Sequence, residues 1–118
     1  MLSVAEDEVH RTLRGLPEAL RTRAVQVPVI FEKHPSRDLR KCGIDKDTLG
    51  LFTGDAYHDV GWSMNPSPNS ILLFLTNLWI EAGENEPAYR REVRTTLLHE
   101  LGHYLGLDED DLEDRGLR

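Results

Sequence analysis

Cys42 is the only cysteine in this 118-residue chain. A lone thiol excludes an intramolecular disulfide, and nothing else points to an oxidising compartment. Positive charge is also scarce: 14 Lys and Arg against 21 Asp and Glu leave a formal charge of −7 at pH 7. That balance argues against electrostatic binding to nucleic acid or to anionic membranes, both of which call for clustered lysine and arginine. Arginines do gather at Arg11, Arg14, Arg21 and Arg23, and again at Arg90, Arg91 and Arg94. Acidic neighbours surround them, so they read as solvated helix faces. Long apolar runs are missing too. The longest, Ile71 to Leu75, is far short of the roughly 20 residues that span a bilayer as a helix. The opening residues Met1 to Glu8 are polar and acidic, without the basic and apolar regions of a signal peptide. The expectation is a cytoplasmic protein with no membrane or nucleic-acid partner. The length suits one domain, residues 1–118, around a modest core, and no internal repeat is present.

What is there divides into helical and strand-like stretches. Ser3 and Glu6 have capping-box spacing, and Val9, Leu13, Leu16 and Leu20 follow at helical intervals. They predict a helix from about residue 4 to Arg14, interrupted by Gly15 and Pro17, then a short helical piece from Pro17 to Thr22. Val25, Val27, Val29 and Phe31 alternate with other residues in strand fashion, and Pro28 suits an edge position. Residues 34–48 read as a charged loop. Leu49 to Gly54 reads as a second strand whose glycines permit a bulge or a close backbone approach. After a second loop, 55–69, the run Ile71 to Thr76 reads as a central buried strand, followed by a short helix from Asn77 to Ala82 that Gly83 ends. A last helix starts at Asn85 or Glu86 with Pro87 in its first turn. Its apolar stripe is Tyr89, Val93, Leu97, Leu101, Tyr104 and Leu105.

That helix carries His99-Glu100-Leu101-Gly102-His103. Histidines four residues apart stand one turn above each other on one helix face, so both imidazoles reach one cation. Glu100 is rotated by roughly 100° from His99, beside the metal rather than on it, where a general base belongs. Neutral imidazoles leave zinc a net Lewis acid that lowers the pKa of its bound water to about 7. A carboxylate then takes the proton and passes it to a leaving amine. A third protein ligand is expected, with the fourth position open. Gly106 permits the left-handed turn that ends a helix and brings the chain back toward the metal. In the spacing His-Glu-x-x-His-x-x-Gly-x-x-ligand the third position falls on Glu109, flanked by Asp108 and Asp110 as alternatives.

With motif, order and size assembled, the chain resembles the minimal zincin-like metallopeptidases of bacteria. The resemblance runs from the N-terminal helix through Gly50-Leu51-Phe52-Thr53-Gly54 to the stretch Arg94 to His103. It implies an α+β, minimal zincin-like fold, with a small mixed β-sheet packed against the N-terminal helix and the C-terminal active-site helix. It also implies Zn2+ held by His99 and His103, with Glu100 as the base. Larger metzincins carry a third histidine where this chain has an acidic residue, and no methionine follows the motif in these residues. Met64 lies upstream and is no substitute for their methionine turn. The function expected is a zinc-dependent metallopeptidase acting on a peptide or protein substrate bound along a sheet edge. The alternative is a non-catalytic metal-stabilised regulatory or binding module, with His58, Asp59 or Cys42 as a fourth ligand. Tyr57, Trp62 and Tyr104 are candidates for lining a pocket, and Arg91 and Arg94 for holding a substrate carboxylate. His10 and His34 read as surface residues.

Overall fold

The computed structural model describes residues 1–53 and 70–105. Along them run α1 (Leu2–Arg14), α2 (Glu18–Ala24), β1 (Val29–Glu32), α3 (Arg37–Lys41), β2 (Gly50–Thr53), β3 (Ser70–Phe74), α4 (Leu75–Glu81) and α5 (Glu86–Leu105). The strands make one mixed sheet in the order β1-β3-β2, with β1 parallel and β2 antiparallel to β3. β3 takes the centre because its run of apolar residues can be covered on both faces. Its Ile71 and Leu73 are fully buried and join Val29, Phe31 and Phe52 in the main core. On the opposite face Ile30, Leu72 and Leu51 stand in register and remain partly exposed.

Four helices cover the inner face. α1 contributes Ala5 and Val9, α2 Leu20 and Ala24, α4 Leu75 and Leu78, and α5 Tyr89, Val93, Leu97, Leu98 and Leu101. α5 is central, touching α1, α2, α4, β2 and β3. Each of its four buried aliphatic side chains gains about 1.5–3 kcal/mol on leaving water, far more than helix propensity, at most about 0.7 kcal/mol for an ordinary residue. Packing therefore fixes the rotation of α5 about its axis. Its start is fixed by Asn85, whose Oδ1 accepts from Ala88 N–H at 3.0 Å, the side-chain bond of an N-cap. β2 approaches α5 so closely that a Cβ on Gly50 would stand 2.5 Å from Thr96 Cγ2. Arg90 ties α5 to α1, donating to Asp7 Oδ2 at 2.8 Å and Glu8 Oε1 at 3.3 Å. Among the described residues no helix is long and apolar enough to cross a membrane.

Several boundaries differ from the sequence expectation. α1 starts at Leu2 with no side-chain cap, so Ser3 and Glu6 lie within the helix. Its first turn is held instead by the burial of Ala5 and by Tyr89 Oη donating to Met1 O at 3.2 Å. α2 continues through Ala24, because Leu20 and Ala24 are buried one turn apart. Val25 is therefore the exposed residue ending that helix, and β1 begins only at Val29. α3 lies within the stretch read as a loop, with Ser36 Oγ accepting from Leu39 N–H at 3.2 Å. β3 yields to α4 at Leu75 without a linker, so Leu75 and Thr76 are helical rather than extended.

Candidate metal centre

Helix geometry distributes the motif residues by angle. At about 100° per residue, Glu100 lies roughly 60° from Leu97 at the centre of the packed face, His103 roughly 120° and His99 roughly 160°. Burial follows the same order: Glu100 is 7% exposed, whereas both histidines are solvent-exposed. The histidines are thus turned away from the apolar stripe, and the carboxylate sits between them and the core.

The three side chains converge. One ligand atom from each of His99, Glu100 and His103 lies within 4.8 Å of the other two. The imidazole rings meet edge to face with centroids 4.6 Å apart. His103 Nδ1 stands 3.4 Å from Glu100 Oε1, which gives the nearly buried carboxylate a polar neighbour and offsets part of its desolvation. Two imidazoles suit a zinc ion, and the Glu100 carboxylate stands beside them where a base would act. Donor atoms on one tetrahedral zinc stand about 3.4 Å apart at bond lengths near 2.1 Å, and the histidine ligand atoms lie within 4.8 Å of one another.

Past His103, Tyr104 is half-buried and its ring has two neighbours. Phe52 of β2 lies 5.7 Å away, centroid to centroid, and the Arg23 guanidinium carbon lies 6.0 Å from the Tyr104 centroid. Tyr104 follows Glu100 by four residues and so shares its side of the helix. Arg23 is the neighbour that sequence reasoning missed, because it was grouped with solvated arginines. Nothing local in the sequence connects α2 with the end of α5.

The other candidates fall elsewhere. Glu109, Asp108 and Asp110 lie outside the described residues, as do Gly106, Tyr57, His58, Asp59, Trp62 and Met64. Cys42 is exposed after α3 and joins no metal-ligating cluster among the described residues. His10 and His34 are exposed. Arg91 and Arg94 are exposed on α5 and form no salt bridge among the described residues.

No curated protein matches the chain closely enough to count as a relative. The profile of the zincin-like metallopeptidase family, in contrast, matches residues 24–117. Because that match takes in the sheet and the whole of α5, the chain belongs to the zincin-like metallopeptidase family.

Proposed function

We propose that the protein is a zinc-dependent peptidase whose active centre is built on the C-terminal half of α5. The observation that carries this reading is the convergence of His99, Glu100 and His103 within 4.8 Å, in a chain of the zincin-like metallopeptidase family. His99 and His103 are the metal ligands in this reading, and Glu109 is the third. With Nδ1 of His103 beside Glu100, Nε2 is the nitrogen left for the ion. Zinc, when bound, supplies Lewis-acid charge that acidifies a water and stabilises the oxyanion formed from the peptide carbonyl.

Glu100 moves the protons. Its carboxylate oxygen accepts a proton from the attacking water and delivers it to the departing amine. Burial suits that role, since 7% exposure keeps most bulk water away while the side chain stays next to the ligand pair. The substrate lies extended along an edge of the sheet, whose order β1-β3-β2 leaves β3 at the centre. Backbone N–H and C=O groups on such an edge bind a peptide by strand addition.

The test is cleavage of a diverse peptide library by the zinc-loaded protein beside its Glu100→Gln variant, with metal content measured in both. Cleavage lost at equal metal occupancy is the expected result. Equal turnover by the two proteins refutes the role given to Glu100.

A further inference from the structure

We propose that Arg23 anchors a carboxylate of the substrate, so that the site prefers peptides with an acidic side chain or a free C-terminus close to the bond cleaved. The inference rests on the peptidase reading above. Its own support is independent of the metal: an exposed guanidinium held against Tyr104 at 6.0 Å, with no carboxylate paired to it among the described residues. Guanidinium binds carboxylate in a planar, two-bond geometry, and stacking on an aromatic ring leaves its edge donors available.

Position gives the anchor its meaning. Tyr104 stands one turn beyond Glu100, and side chains at that spacing have Cβ atoms about 5–6 Å apart. Arg23 therefore lies about two to four residues of extended peptide from the reacting carboxylate, at about 3.3 Å per residue. Phe52 of β2 also packs against Tyr104, so the ring contacts both the sheet and the arginine. Arg21, its neighbour in α2, is committed to structure, donating to Arg14 O at 3.3 Å. Arg23 makes no such bond among the described residues.

A merely structural Arg23 would neutralise the C-terminal ends of α2 and α5, and the test must separate that role from anchoring. Zinc-loaded wild type, Arg23→Gln and Arg23→Lys are assayed with alanine-based peptides differing only in Glu against Gln beside the cleaved bond, and in a free against an amidated C-terminus. Wild type is expected to favour the carboxylate member about two- to fivefold in kcat/KM, the effect of one exposed ion pair. The preference should be carried by KM and weakened by salt. In Arg23→Gln the ratio falls to about one, and Arg23→Lys keeps part of it. Because each ratio is taken on a single protein, loss of stability does not imitate this pattern. The arm that shows the preference identifies the carboxylate. A ratio unaffected by Arg23→Gln overturns the anchor while leaving the peptidase reading standing.

Binding of the same peptides to the Glu100→Gln protein is followed at the Arg23 Nε–H resonance. If no peptide is cleaved, the peptidase reading fails and this titration alone decides. A shift produced by the carboxylate peptide and not by its neutral partner supports the anchor, and no shift with either overturns it.

Discussion

Gly50→Ala is the sharpest test of how the sheet positions the active-site helix. The new methyl would stand 2.5 Å from Thr96 Cγ2, 3.3 Å from Leu72 O and 3.4 Å from Leu73 Cδ2. The last two are tight or ordinary contacts, but the first requires something to move. Thr96 is buried on α5, three residues before His99, and its short β-branched side chain is stiff at χ1. Overpacking of this kind costs about 1–3 kcal/mol, the lower end applying if Thr96 finds its alternative rotamer. Against it, Gly50 lacks a positive φ, so alanine also restricts the unfolded chain and returns about 0.4–1 kcal/mol. The net expectation is a loss of about 0–2.6 kcal/mol. Urea unfolding of the metal-free protein measures it without the contribution of ligand linkage. Thr96→Ser removes the offending methyl and keeps the hydroxyl, so the double variant should regain most of the loss in a mutant cycle. Strict additivity would refute the claim that Gly50 exists to admit α5.

Tyr89→Phe removes the bond to Met1 O and should cost about 0.5–1.5 kcal/mol. Burial also raises the Tyr89 phenol above its ordinary 10.0, so its contribution is complete below pH 10 and is lost as pH rises through the folded value. One of the three tyrosines should titrate late in ultraviolet absorbance, and Tyr89→Phe should abolish that phase. The hydrogen bond from Arg90 holds the Asp7 carboxyl below 3.8. Its contribution is therefore present above that pH and is lost as pH falls through the lower folded value. Asp7→Asn should flatten the acid limb of a stability profile, and superimposable profiles would exclude the pair as a clasp between α1 and α5. Zinc at about 100 times its Kd should stabilise the protein by about 2.7 kcal/mol, reversed by chelation. Glu109→Ala should weaken zinc binding in calorimetry more than Asp108→Ala or Asp110→Ala, and a larger effect from either aspartate would move the third ligand to it.

Local signals made α5 legible. Asn85 and Pro87 mark its start, the apolar stripe marks its inner face, and the motif spacing holds on any regular helix. The angle from that stripe also accounts for a buried Glu100 between exposed histidines. Where tertiary packing overrode local preference, reading failed. Val25 and Val27 alternate like strand residues, yet Ala24 is drawn into the core, α2 runs through it, and both valines fall in the turn before β1. Ser3 and Glu6 form no cap because the first turn is set by contacts with Tyr89 and the core. α3 was missed because four charged residues around a single leucine, Leu39, show no periodicity, although Ser36 was a usable cap signal.

Glycine shows where such reading stops and structure takes over. The pair around residues 50–54 suggested a bulge or a close approach, and β2 pairs with β3 in unbroken register from Gly50 to Thr53. Close approach is therefore the operative reason at Gly50, and the approaching partner is Thr96 on α5. Arg23 beside Tyr104 is the same kind of fact. A sequence can announce that a position lacks a side chain or carries an unassigned charge. Only the packing of distant elements says what that space or charge faces, and here both face the helix that carries His99, Glu100 and His103.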